Sequence, residues 1–177
     1  MGSSLSRLMQ KDALILFLDS HGIAYELFEH EAVFTVESSE HLHSRIGGAH
    51  SKNLFLRDKN KQFFLVSVPS NKRVDLKKLS KELGKGGLSF GSAEALEEKL
   101  KLFPGGVTPL GLLNDLGLEV TFVLDKDFTA HERVNFHPLS NDQTVSLLLA
   151  DFLKVMDLLR HQPHIMSIPG LDVVAPV

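Results

Sequence analysis

Lys52 is the residue whose setting most suggests chemistry. It stands where a flexible polar turn, Gly47-Gly48-Ala49-His50-Ser51, runs into the apolar stretch Asn53-Leu54-Phe55-Leu56. An amine at a strand mouth offers three donors to an anion or a carbonyl oxygen, and burial could instead lower its pKa toward that of a base, the lesser of the two roles. A second candidate is Gly105-Gly106-Val107-Thr108-Pro109, which follows Pro104. Glycine lets backbone approach a ligand closely, and proline fixes the exit direction and removes a donor. No Gly-Lys-Ser/Thr follows, so this is no phosphate loop, and no strand precedes it at the distance a dinucleotide fingerprint needs. Taken alone, the pattern favours an ordinary helix-terminating turn.

The nine histidines invite a metal, and their spacing argues against one. On a helix His41 and His43 point about 200° apart, and His161 and His164 straddle Pro163. With no cysteine in the chain, disulfides, a thiolate nucleophile and a cysteine-ligated zinc are excluded. His50 and Ser51 are neighbours in sequence, but on an extended strand they face opposite ways, so no nucleophilic triad follows. His137 precedes Pro138 at an expected strand end, with Asn141 shortly after, and both could line a cleft; ordinary turn chemistry is the alternative. No cofactor is called for.

These groups need a scaffold. Residues 5–20 read as an amphipathic helix bearing Leu5, Leu8, Met9 and Phe17, with Gly22 as its stop, and residues 23–28 as a strand. Thr35 can cap a short helix to about His43. Residues 53–58 and 62–68 form a hairpin across Asp58-Lys59-Asn60-Lys61, with Lys52 at its open end. A basic helix spans 75–83, Ser89-Phe90 adds a short strand, and Ser92 caps a helix to about Leu102. Strands are expected at 118–124, 132–136 and 144–149. Asp151 then caps a helix burying Phe152, Val155, Met156 and Leu159, which Pro163 ends. Strands outnumber crossover helices, which argues against a doubly wound parallel sheet and for an α+β fold with a mixed, largely antiparallel sheet. At 177 residues, one domain spanning 1–177 can bury roughly 70% of the surface its unfolded chain exposes. Charges interrupt every long apolar run, so no membrane span is expected, and the N-terminus lacks a secretory pattern, which points to a cytoplasmic protein.

Charge is uneven. Between Lys52 and Lys85 ten Lys or Arg face three acids, a local excess of seven on a chain of net −3, so the remainder carries −10. A basic sector containing Lys72, Arg73, Lys77, Lys78 and Lys81 on an acidic protein suits a phosphate backbone, although a solvated lysine-rich face is equally compatible.

Three blocks in order, residues 48–58, Phe103-Pro104-Gly105-Gly106-Val107-Thr108-Pro109-Leu110-Gly111, and Val134-Asn135-Phe136-His137-Pro138-Leu139, resemble the signature blocks of the YbaK/prolyl-tRNA synthetase editing-domain superfamily, and most closely its free-standing deacylases of alanyl-tRNA(Pro). The resemblance runs from about Leu14 to the C-terminal helix. It implies a mixed sheet curled toward a barrel, surrounded by helices, with one pocket at its mouth. It also implies a trans-editing hydrolase acting on mischarged alanyl-tRNA(Pro), with Lys52 as the essential residue, Asn53 beside it, residues Gly105, Gly106, Val107, Thr108 and Pro109 holding the aminoacyl end, and a hydroxyl of the terminal adenosine assisting. It moves the basic sector toward tRNA contact and makes prolyl-tRNA synthetase a candidate partner. A related deacylase of cysteinyl- or seryl-tRNA and a non-catalytic tRNA-binding accessory protein are the alternatives, and intact Lys52 and 105–109 loop argue against the latter. Exclusion of proline from an alanine pocket must rest on size, with Val33, Phe34, Ile46 and Val107 as candidate walls.

Overall fold

The computed structural model describes residues 4–32 and 36–171. Its elements are α1 (Ser4–Ser20), β1 (Glu26–Glu29), α2 (Val36–Arg45), β2 (Ala49–Arg57), β3 (Phe63–Pro69), α3 (Leu76–Glu82), β4 (Ser89–Phe90), α4 (Ala93–Leu100), a 3₁₀ turn (Pro109–Asn114), β5 (Val120–Asp125), a second 3₁₀ turn (Lys126–Ala130), β6 (Arg133–Phe136), β7 (Gln143–Leu148), α5 (Leu149–Leu158) and β8 (His164–Met166). The strands join in one sheet of order β1-β7-β6-β2-β3-β5-β8, with β4 beside β2. Four pairings are antiparallel (β1 with β7, β2 with β3, β2 with β4, β6 with β7) and three are parallel (β2 with β6, β3 with β5, β5 with β8). The expected mixed, mostly antiparallel α+β sheet is therefore present.

The centre is the β2–β3 hairpin, paired from Ser51 with Pro69 to Arg57 with Phe63. Asp58 closes its turn because one carboxylate oxygen accepts the N–H groups of Asn60 and Gln62, each at 2.9 Å. Alternation along β2 divides the molecule. Phe55 packs into the larger core with Leu14 and Leu18 of α1, Leu96 and Leu100 of α4, and Phe152, Val155 and Met156 of α5. Leu56 packs into the smaller core, with Val66, Val68 and Leu79 of α3.

Three expectations change. In α1 the apolar residues expected to face inward, Leu5, Leu8 and Met9, are 66%, 48% and 62% exposed, whereas Leu14 and Leu18 are fully buried, so only the C-terminal half of the helix meets the core. α5 starts at Leu149, directly out of β7, with no side-chain cap; Asp151 lies in the first turn, where its charge meets the positive helix end. That helix ends through Arg160, whose φ is +62°, before Pro163 is reached. Pro163 instead precedes β8, a three-residue edge strand too short to register as a pattern. The proposed cap Thr35 and the pocket-wall residues Val33 and Phe34 lie outside the described residues.

Candidate functional site

Because side chains alternate along β2, His50 and Lys52 project to the side of the smaller core, and Ser51 and Asn53 to the side of the larger one. The expected divergence of His50 and Ser51 is present: the His50 ring Nε2 bonds the Ile46 carbonyl at 2.7 Å, while Ser51 Oγ donates to the Asn135 carbonyl at 2.9 Å. The same alternation separates Lys52 from Asn53, a consequence their adjacency in sequence hides.

On the first face, β2 pairs in parallel with β6 at Ala49–Val134 and His50–Asn135. Asn135 and His137 therefore share a face with His50 and Lys52. Gly48 permits this approach: its φ is +93°, and a Cβ there would lie 2.9 Å from the Arg133 carbonyl oxygen. A group of imidazoles gathers about His50, two residues before Lys52 on the same face of β2. His43 of α2 stacks on His50 with ring centroids 4.0 Å apart, and His30 lies 6.2 Å from His137. Nδ1 of His137 faces the Gln143 carbonyl at 2.9 Å; a carbonyl only accepts, so Nδ1 carries the hydrogen and Nε2 of the neutral ring is left as an acceptor. Burial, then the neighbouring His50 and His137, lowers the His43 pKa to about 4. Burial also lowers His50 and His137, outweighing the carbonyls that favour their protonated forms. The His43, His50 and His137 rings are therefore neutral near pH 7.

Lys52 is half-buried, and its ammonium makes no hydrogen bond or ion pair among the described residues. Burial lowers its pKa, and the charge of Arg73 lowers it further. Two cations close enough to repel, with no carboxylate between them among the described residues, form a place that an anion or a developing oxyanion would relieve. Arg73 thereby joins the basic sector to Lys52. On α3, Asp75 caps the helix by accepting the Lys78 N–H at 3.0 Å, Leu79 points into the smaller core, and Lys77, Lys78 and Lys81 are exposed with no side-chain ion pair among the described residues. Lys72 differs from the other four. Its ammonium bonds Asp125 at 2.5 Å, Asp127 at 2.9 Å and the Ile168 carbonyl at 3.1 Å. Burial opposes its charge, but the two aspartates prevail and raise its pKa.

On the second face the 105–109 loop meets Asn53. β2 leaves β6 after His50 and gains β4 only at Leu56, so the edge between them has no strand neighbour among the described residues. Asn53 Nδ2 there donates to the Val107 carbonyl at 3.1 Å. Gly105 has a φ of +90°, and Thr108 caps the 3₁₀ turn that begins at Pro109, its Oγ1 accepting the Leu110 N–H at 3.3 Å. A Cβ at Gly106 would lie 2.5 Å from the Phe103 ring, over which the Arg7 guanidinium sits at 3.9 Å. Phe103, then, is what Gly106 makes room for.

The structure gathers Lys52, Arg73 and His137 on one face of β2 and Asn53 with residues 105–109 on the other, the unpaired edge lying between. Asn141 stands half-buried in the β6–β7 turn, whose Asp142 carbonyl accepts the His30 N–H at 3.0 Å. Ile46 is 3% exposed and borders a groove of about 400 Å³ with Glu26, Phe28, Gly48, Arg133 and Ser146. Val107 is half-buried against the larger core. Sequence reasoning missed His30, His43 and His50 as neighbours. The two-residue step from His50 to Lys52 was a usable signal; the other contacts depend on where α2 folds back. Among the described residues no three His, Asp or Glu converge as metal ligands, and no helix is long and apolar enough to cross a membrane.

A half-buried strand-borne lysine under the charge of Arg73, with a glycine–proline loop at the adjoining edge, occurs here in a chain whose residues 30–155 match the model of the aminoacyl-tRNA editing domain. The chain belongs to that family. It is 42% identical over 155 residues to a mouse (Mus musculus) prolyl-tRNA synthetase associated domain-containing protein 1, covering 85% of this chain and 91% of that one. It is 40% identical over 147 residues to the prolyl-tRNA editing protein ProX of Acetoanaerobium sticklandii, covering 82% and 90%. A crystal structure described as that of a candidate trans-editing enzyme for prolyl tRNA synthetase superposes with a TM-score of 0.71 over 91% of this chain and 97% of the other; at 18% identity it speaks to the fold.

Proposed function

We propose that this protein is a trans-editing hydrolase that clears mischarged alanyl-tRNA(Pro), releasing alanine and free tRNA. The observation that carries the reading is the half-buried ammonium of Lys52, without a partner among the described residues and pressed by the charge of Arg73, in a chain of the editing-domain family. In the reaction the oxygen of a water bonds to the ester carbonyl carbon, the bond to the ribose oxygen breaks, and a proton from the water ends on that oxygen. The ester is already activated, so a positioned water and a donor for the developing oxyanion suffice. Lys52 supplies that donor or binds the terminal phosphate and ribose, and a hydroxyl of the terminal adenosine assists. His137, with Nε2 as an acceptor, and Asn141 line the pocket, and residues 105–109 hold the aminoacyl end. Asn53 acts mainly by holding that loop, since its amide is spent on protein groups.

Arg73, Lys77, Lys78 and Lys81 take phosphates of the tRNA, while Lys72 serves the fold. A single domain acting in the cytoplasm, alongside prolyl-tRNA synthetase, completes the reading; the names of the mouse and Acetoanaerobium relatives support the link to prolyl-tRNA. The test is to time ester loss from alanyl-, cysteinyl-, seryl- and prolyl-tRNA(Pro). Fast loss from the alanyl ester with prolyl-tRNA spared is expected. Preference for the cysteinyl or seryl ester would assign a different substrate, and no hydrolysis of any would make the protein a tRNA-binding accessory.

A further inference from the structure

The 105–109 loop is held by a buried polar chain that begins one strand away. Ser67 of β3 is fully buried and lies directly across the ladder from Asn53 of β2. Its hydroxyl donates to Asn53 Oδ1 at 2.5 Å. Asn53 Nδ2 donates to the Val107 carbonyl at 3.1 Å and reaches Ser51 Oγ at 3.3 Å, and Ser51 in turn donates to the Asn135 carbonyl. A carbonyl cannot donate, so the amide group must turn its nitrogen to Val107 and its oxygen to Ser67. The Val107 carbonyl and Ser51 Oγ hold the nitrogen end of that amide; without the Ser67 hydroxyl its Oδ1 loses the one donor it has among the described residues, and the amide is fixed from one end alone.

The orientation has a consequence at the loop. A trans peptide is planar, so with the Val107 carbonyl directed at Asn53 the Thr108 N–H points the opposite way. That N–H makes no hydrogen bond among the described residues, although Thr108 is fully buried. We propose that Ser67 is a positioning residue for the editing reaction: it sets the Asn53 amide, which pins the Val107–Thr108 peptide and with it the course of the 105–109 loop that holds the acyl end of the substrate. This rests on the deacylase reading above. Ser67 touches no substrate; it acts through Asn53.

The experiment compares wild type, Ser67→Ala, Ser67→Thr, Asn53→Ala and the Ser67→Ala/Asn53→Ala double variant in single-turnover hydrolysis of alanyl-tRNA(Pro), with backbone hydrogen exchange measured on the same proteins. Misplacing a substrate-holding peptide by about 1 Å can cost roughly a hundredfold, so Ser67→Ala should slow hydrolysis between about 10- and 100-fold. Ser67→Thr, which keeps the hydroxyl, should recover most of the rate. The double variant should match Asn53→Ala within about twofold, since residues acting as one unit are not additive. Exchange should quicken at Gly106–Thr108 and stay unchanged through β2, β3 and β5. Independent, multiplying losses in the double variant, or faster exchange across the whole sheet, would overturn the proposal in favour of plain destabilisation. If wild type hydrolyses no ester, the deacylase reading fails by itself; loop exchange unmoved by Ser67→Ala would then overturn the positioning role as well.

Discussion

Replacing Lys77, Lys78 and Lys81 together by alanine probes the outer face of α3. The three side chains are exposed, Leu79 alone of this stretch's long apolar side chains being fully buried, and none makes an ion pair among the described residues. Removing them should leave the helix intact, since alanine is the better helix former and Leu79 and the Asp75 cap remain. What they offer is free positive charge on the helix that follows Arg73 in the chain. Each phosphate contact contributes about 0.9 to the slope of log affinity against log salt on a duplex and about 0.7 on a single strand, so three lost contacts should reduce the slope by roughly 2 to 3. Over a fourfold rise in salt, wild-type affinity for tRNA(Pro) should fall roughly 20- to 40-fold further than that of the variant. The assay is tRNA binding by filter retention or anisotropy at four salt concentrations, beside turnover at saturating substrate, which should change little. Parallel salt lines for the two proteins would refute the reasoning and reduce α3 to a solvated face.

Lys72→Ala should behave in the opposite way, leaving the salt slope nearly intact while stranding the fully buried Asp125, a break that costs about 3–5 kcal/mol in urea unfolding; equal stability would contradict the buried pair. Gly106→Val should drive the Phe103 ring from its place under Arg7, cutting alanyl-tRNA(Pro) hydrolysis steeply while tRNA affinity holds; normal hydrolysis would remove the loop from the site. For pH, the unfolded chain takes up protons near 6.5 that His43 refuses until about 4, with His50 and His137 lowered in the same direction. Their contribution to stability is complete above pH 6.5 and is lost as pH falls toward 4. Melting temperature should drop across that window, and His43→Asn should flatten part of the fall; an unchanged profile in the variant would contradict the buried imidazole cluster.

Local patterns carried most of the fold. The hairpin, the capped helices α3 and α4 and the strands β5, β6 and β7 follow from alternation, capping serine and aspartate, and turn residues. Long-range pairing was less visible. The parallel contact of β2 with β6 brings His50 beside Asn135 across 85 positions of sequence, and nothing in either segment announces the other. Lys52 was legible because a lysine among strand-forming apolar residues is out of place. The split of Lys52 and Asn53 to opposite faces was implicit in strand alternation yet masked by their adjacency. Lys72 looked like its neighbours because its partners, Asp125 and Asp127, come from a distant strand end; charge counts cannot tell a spent cation from a free one.

In the proposed reaction Lys52 serves catalysis and not architecture. Lys52→Ala, measured by single-turnover hydrolysis of alanyl-tRNA(Pro) together with tRNA binding and thermal unfolding, tests it most directly. Loss of one oxyanion-type donor costs on the order of a hundredfold or more, so the rate should fall by at least that much. Melting temperature should hold, because the ammonium has no partner among the described residues to strand. Hydrolysis within a few-fold of wild type in a stable, tRNA-binding variant would contradict the assignment of Lys52.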